Sequence, residues 1–409
     1  MSLTLQDKIN GTVLPWLVIA ACFAVSMKTA VFSIIIGVFI ILWLVSGQWK
    51  AKFKRITSNQ GAVIAIVLFG LYGIGLTYSE ADWSHKLSWC LKYDKLLYIP
   101  LIVSIMQTEK HRKYAVNAFI LSSILVLIIS YSKWLHIIPF DDVGQGYIAF
   151  RNRIAQSIFM AFTVYLMLHR ALNVKGSYRT IWLVLSVLGS VNILVMVNGR
   201  TGQVLLIALL LWFLWEAWGT KSVKWLALSL FGEWLVLTLL GTMLFYQITP
   251  NINLSRSSDI KQEIKSHMTS STRTSAGERI EFYKNSLLII AKSPLVGSGT
   301  GSFENEYRKL AKTQKNSPDR VPNPHNQFLL TTAELGAIGL ITFLYFWFTH
   351  WRTSYNLEKN QYQITFRGLI LTIFIGSFFN SLLLDAGEGR LYCVIAGVLL
   401  SAYRKKEDA

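Results

Sequence analysis

The chain has 409 residues, 53% of them hydrophobic and only 15% charged, with 40 Lys and Arg against 22 Asp and Glu and a net charge of +18. A mean hydropathy of +0.41 with so little charge excludes an ordinary soluble domain. Cys22, Cys90 and Cys393 stand far apart, which excludes a disulfide framework and a zinc site, and no phosphate loop, HExxH pair or calcium-type carboxylate spacing is present.

Apolar runs such as "VFSIIIGVFIILWLVSG" and "ALSLFGEWLVLTLLGTMLFY" are long enough, or nearly so, to cross about 30 Å of hydrocarbon. Open sheets leave backbone groups unpaired in lipid, so the spans must be helical. The fold class read from the sequence is an all-α integral membrane protein of about twelve transmembrane helices with one large, partly helical outer loop. In chain order the spans fall near 12–27, 29–47, 61–78, 88–106, 114–132, 154–169, 180–198, 202–217, 224–246, 326–349, 367–384 and 389–403. The first lacks a small-residue cleavage site after it and reads as a retained anchor. Three regions follow: 1–246 with nine spans, 247–325 as the outer loop, and 326–409 with three spans and a tail.

Alternate short loops ("QWKAKFKR", "TEKHRKY", "HRALNVKGSYR", "GTKSVK", "HWRTSYNLEKNQYQITFR" and the tail "RKKEDA") carry 18 of the 40 Lys and Arg. Basic short loops stay in the cytoplasm, so both termini are expected inside and the loop 247–325 outside. That loop holds 12 Lys and Arg against 7 Asp and Glu. Loops of this length escape the positive-inside rule. Its cations either reflect an ordinary polar loop or meet something anionic.

Within the loop, "NINLSRSSDIKQEIKSHMTSSTRTSAG" reads as polar chain with a short helix around "SSDIKQEIKSHM". "ERIEFYKNSLLIIAKSP" places Ile280, Tyr283, Leu287 and Leu288 at helical spacing. Pro294 stops that helix, "VGSGTGSF" is a glycine-rich turn and "FENEYRKLAKTQK" a second helix. "NSPDRVPNPH" is extended by its prolines and delivers His325 to the mouth of the tenth span.

His325 titrates near neutrality and can accept a proton in its neutral form. The plain alternative is a helix-end histidine bonded to water. Arg200, in "VNGRTGQ", and Arg279, opening the amphipathic helix, share its face. Their plain alternatives are snorkelling to head groups and pairing with Glu278 or Glu281. An arginine fork grips phosphate oxygens through two bonds at once. Arg153, beside Arg151 at the sixth span, and Lys92, near Asp94 and Lys95 in the fourth, are further candidates. Asp385 and Arg390 are expected to pair with each other.

"HNQFLLTTAELGAIGL" resembles the signature of the O-antigen ligase superfamily, a His-Asn pair before a span with a Glu-x-Gly-x-x-Gly pattern, here His325, Asn326, Glu334, Gly336 and Gly339. "NGRTG" and "GERIEFYKNSLLIIAKSPLVGSGTGSF" are similar to that family's other outer segments. The resemblance implies transfer of a glycan from undecaprenyl diphosphate to an acceptor hydroxyl on the periplasmic side of a Gram-negative inner membrane, without metal or cofactor. The residues read above suit that reaction: His325 is expected as general base and Arg200 and Arg279 on the diphosphate, with Arg153, Lys92 and Asn326 as further candidates. Partners would be the lipid-linked donor, a lipid A-core acceptor and membrane lipids, with no nucleic acid. A ligase is favoured because the chain lacks an extra C-terminal domain. A polymerase or an O-linked protein oligosaccharyltransferase is the alternative within the superfamily, and a secondary transporter the alternative outside it. Against the transporter stand the lack of repeated halves and of matching broken segments.

Overall fold

A computed structural model describes residues 4–139, 146–197, 199–218, 221–248, 275–312 and 320–403. The described residues form helices joined by short turns. They are α1 (Leu5–Lys8), α2 (Leu14–Ala24), α3 (Thr29–Val45), α4 (Trp49–Thr57), α5 (Gln60–Tyr78), α6 (Trp83–Leu91), α7 (Tyr98–Val103), α8 (Glu109–Trp134) and α9 (Arg153–Asn173). Then follow α10 (Ser177–Val191), α11 (Arg200–Trp218), α12 (Lys221–Ile248), α13 (Ser275–Lys292), α14 (Phe303–Ala311), α15 (Gln327–Ser354), α16 (Asn360–Gly376) and α17 (Ala386–Leu400).

Seven helical segments are long and apolar enough to cross a membrane: α5, α8, α9, α10 with its π-helical extension, α11, α12 and α15. The bent pair α3 and α4, at 115°, makes eight if counted as one span. Together these describe a multi-pass membrane protein. The segment expected near 12–27 is helical as far as Ala24, where α1 and α2 are joined without a break by a π-helical stretch, Ile9–Val13, and the segments expected near 88–106, 367–384 and 389–403 are helical in shorter pieces. α2 has 11 residues, α16 has 17 and α17 has 15. The fourth expected span is divided into α6, a 3-10 turn at Asp94–Leu97, and α7.

α9 sits at the centre. Ala155 to His169 are all buried along it, and it packs against α10, α11 and α16. A helix buried on every side is the expected place for "SIFMAFTVYLML", which has no polar stripe. By contrast α12 exposes Val236, Leu239, Leu240, Met243 and Leu244 to the surroundings, as a lipid-facing helix must. Of the expected outer loop, both expected helices are present as α13 and α14, but the face of α13 read as apolar from spacing is not the packed one: Ile280, Leu287 and Leu288 are exposed, and Phe282, Asn285, Ser286 and Ile289 are buried. The short helix expected around 257–268 lies outside the described residues.

Candidate active site

The site is built on a broken helix. Asn326 caps α15, its Oδ1 accepting the Leu329 N–H at 3.1 Å. The helix then breaks at Gly336, which has φ 62° and ψ −160°. The chain between Pro294 and Gly301 fills the break with its own backbone. The Ser298 N–H donates to the Ala333 carbonyl (3.0 Å), and Gly299 N–H to that of Glu334 (2.8 Å). From the other side Ala337 N–H donates to Pro294 (2.8 Å) and Ile338 N–H to Leu295 (3.2 Å). The groups freed by the break are thereby satisfied, as burial in an apolar region requires.

This insertion explains both glycine-rich segments. A Cβ on Gly336 would lie 2.3 Å from the Leu295 backbone, and one on Gly297, φ +70°, 2.4 Å from that of Glu334. The buried Glu334 side chain adds a bond from the Gly301 N–H at 3.0 Å. Thr300 N–H reaches the Gly75 carbonyl at 3.0 Å, and the Tyr78 hydroxyl the Val296 carbonyl at 2.7 Å. The end of α13 is therefore fixed to α15 and to α5.

His325 stands just before the cap in a left-handed conformation, φ 52°. A side chain that is not glycine is strained there. The conformation is held by the Asn323 side chain, whose Oδ1 accepts the His325 N–H at 3.0 Å and the Ser381 hydroxyl at 3.0 Å. The prolines alone do not set it. The imidazole rests against Phe282, ring centroids 6.0 Å apart. Neither ring nitrogen has a hydrogen-bond partner among the described residues. Burial, and secondarily the positive charge of Arg279, hold its pKa below the ordinary histidine value. Both causes disfavour imidazolium, so the ring is neutral at neutral pH and able to accept a proton.

Arg279 lies near the start of α13, close enough for its charge to act on His325. One turn on, the Tyr283 hydroxyl donates to the Phe378 carbonyl at 2.7 Å. The Asn326 Nδ2 donates to the same carbonyl at 3.2 Å. Arg200 begins α11, and its neighbour Thr201 accepts a bond from Asn380 Nδ2 at 3.0 Å. The Leu383 and Leu384 N–H groups both donate to Gln327 Oε1 at 3.1 Å. The turn between α16 and α17 thus gathers the three elements that carry His325, Arg279 and Arg200.

The remaining candidates divide. Arg153 opens α9 beneath the Asn152 cap, and its carbonyl lies 2.9 Å from where a Gly199 Cβ would stand, so it neighbours Arg200. Lys92 places its ammonium 3.7 Å over the Trp89 ring, within electrostatic reach of Glu334 and Asp385. Asn326 is committed to the backbone at both ends of its amide. The expected Arg390–Asp385 pairing is replaced by other contacts. The Arg390 guanidinium lies 5.1 Å over Phe32, and Lys95 Nζ, itself buried, donates to the carbonyls of Leu384 and Asp385, each at 2.9 Å. Arg151 is drawn away to the Val25 carbonyl and the Thr29 hydroxyl.

Sequence reading missed Asn323, Gln327, Asn380 and Ser381, the polar side chains that lock the site. Their signal was present in "NPHNQ" and in "FFNSLLL", where two polar residues interrupt an apolar run. One end of the bundle therefore carries a neutral, strained histidine beside a guanidinium, with further cations on adjoining elements. Such a site can take a proton from a hydroxyl and hold an anion next to it.

These features describe a multi-pass helical membrane protein with a histidine-arginine site at one end. Residues 183–344 match the family model described as O-antigen ligase, and this match supports the assignment of the chain to the O-antigen ligase superfamily of glycan transferases. Arg200, Arg279 and His325 all fall inside the matched segment. No curated protein matches the chain.

Proposed function

We propose that the chain is an O-antigen ligase. It would move a glycan from undecaprenyl diphosphate to a lipid A-core acceptor at the periplasmic face of a Gram-negative inner membrane, with both termini in the cytoplasm. His325 removes the proton from the acceptor hydroxyl. The freed oxygen forms a bond to the anomeric carbon, the bond from that carbon to the diphosphate oxygen breaks, and the diphosphate leaves with the electron pair. Attack from the side opposite the leaving group inverts the anomeric configuration. Arg279 and Arg200 hold the diphosphate and offset the charge that grows on it. The activated donor supplies the driving force.

The observation that carries this reading is the pairing of a neutral, strained histidine with the charge of Arg279. The broken helix α15 is the one feature that speaks for a transporter. Its freed backbone groups are occupied by the Pro294–Gly301 segment, and of the buried Glu334 carboxylate only Oε2 is left without a hydrogen bond among the described residues.

The test is complementation of a ligase-deficient strain that makes a compatible lipid-linked O-antigen. Wild type should restore the lipopolysaccharide ladder, and His325→Ala should not while accumulating normally. A full ladder from that variant would overturn the assignment of the base.

A further inference from the structure

The cation excess of the outer loop is only partly absorbed by the site around His325. Five described cations lie on or beside α14: Lys292, Arg308, Lys309, Lys312 and Arg320. Three carboxylates answer them. Glu304, buried, takes Arg308 at 3.0 Å and Arg320 at 2.7 Å. Glu306 takes Lys292 at 3.2 Å and Lys309 at 2.6 Å, and Glu80 takes Lys309 at 2.9 Å. Five cations against three acids leave a surplus of two. Lys312 is exposed and pairs with no carboxylate among the described residues.

Arg308, Lys309 and Lys312 converge with Glu80 and Asn305 around an open recess of about 240 Å³. Among the described residues its lining has no apolar side chain. Cations in the last turn of a helix are ordinarily explained by the helix dipole. That accounts for Arg308, Lys309 and Lys312, the residue that caps the helix, but not for an Arg320 arriving from a separate segment.

The opposite face of α14 points at the site. Phe303, Tyr307 and Ala311 are buried there. Tyr307 stacks edge-on with Phe282 at 6.0 Å, and Phe282 is the ring that rests on His325. The recess and the histidine are thus on two sides of the α13–α14 pair, on the order of one to two helix diameters, ~10–20 Å, apart. That is a few sugar units.

We propose that this recess is an acceptor subsite for a phosphate or carboxylate carried on the acceptor saccharide, which steers a hydroxyl further along that saccharide toward His325. The proposal rests on the glycan-transfer reading above. Surface cations of this kind act on capture more than on chemistry.

The test uses the full chain in lipid nanodiscs and the double variant Arg308→Glu, Lys312→Glu, whose side chains are exposed. Two acceptors are compared: phosphorylated lipid A-core glycolipid and the same glycolipid after phosphatase treatment. The variant should raise the half-saturating concentration of the phosphorylated acceptor by at least about tenfold, the loss of two screened charge contacts plus the repulsion from the two carboxylates that replace them, with kcat and the donor requirement kept. It should leave the already weaker dephosphorylated acceptor unaffected. Equal half-saturation in wild type and variant overturns the subsite. Direct binding of both glycolipids to His325→Ala protein, with and without the double substitution, reads the subsite apart from chemistry. If wild type transfers nothing, the ligase reading fails, and the binding comparison alone still decides the subsite. If inorganic phosphate binds the wild type and not the variant while both glycolipids bind equally, the recess serves free phosphate and the acceptor proposal is wrong.

Discussion

Two histidines bracket α15, and they differ in every respect that matters. His350, near its far end, is fully buried in regular helix. Its Nε2 donates to the Gly61 carbonyl at 3.0 Å and its Nδ1 accepts from the Tyr392 hydroxyl at 2.5 Å. Around it charged side chains lie against opposite charges. Arg112 meets Glu358 at 2.8 Å, and Glu216 meets Arg367 at 3.2 Å, His169 at 3.3 Å and the Tyr165 hydroxyl at 2.7 Å. His325, at the near end, has a strained backbone and a ring whose described neighbours are an aromatic face and a positive charge. One end of the bundle spends its polar side chains on holding helices together. The other leaves the His325 ring without a hydrogen-bond partner among the described residues.

Substitutions at the two ends should therefore fail in different ways. The largest separation is expected between the histidines themselves. His325→Ala should lower transfer by about 10²–10⁴-fold, the usual worth of a positioned base, with little change in unfolding temperature. His350→Ala should instead destabilise by about 2–4 kcal/mol, through a cavity and two lost hydrogen bonds, seen as a lower unfolding temperature. Comparable loss of transfer per folded molecule in both would erase the contrast.

Gly336→Ala comes next. Its backbone, φ 62° and ψ −160°, lies in a region essentially reserved for glycine and costs an alanine about 1–3 kcal/mol, and its Cβ meets the Leu295 backbone. Expulsion of the Pro294–Gly301 segment should follow, read as proteolytic cleavage near Gly297 and loss of transfer. Asn380→Ala removes one bond to Thr201 and should reduce transfer only a few-fold, in line with about 1 kcal/mol for a single hydrogen bond. The smallest effect belongs to Lys359→Ala at the far end. Its pair with Glu109 is exposed, and such pairs contribute little, so unfolding temperature and transfer should both be unchanged.

Legibility in the sequence followed the range of the interactions. Helical spacing in "ERIEFYKNSLLIIAK" and the stop at Pro294 gave α13 and its end, because those are decided by neighbouring residues. The face shared by His325, Arg279 and Arg200 followed from loop order. The break at Gly336 was not readable. Helix propensity along "TTAELGAIGL" is continuous, and the partner that makes the break stable lies some forty residues earlier. The expected spans that fall short, α16 and α17, end in turns fixed by tertiary hydrogen bonds, the Gln327 N–H to the Ser377 carbonyl at 2.9 Å and Asn59 Nδ2 to the Leu400 carbonyl at 2.9 Å. The misjudged Arg390–Asp385 pair has the same origin. Proximity in sequence suggested it, and Lys95 and Phe32, from distant parts of the chain, claimed the two partners.

The central claim is that His325 works as a base in the field of Arg279. It is tested most directly by the pH dependence of kcat/KM for transfer in wild type and in Arg279→Gln. The base form dominates above the pKa, so wild-type transfer should fall as pH drops through a value below about 6.5, the ordinary histidine pKa. Removing the guanidinium removes a charge that opposes protonation, so in Arg279→Gln the acid limb should move to higher pH even as the rate falls. An acid limb that stays in place, or moves down, would contradict the account.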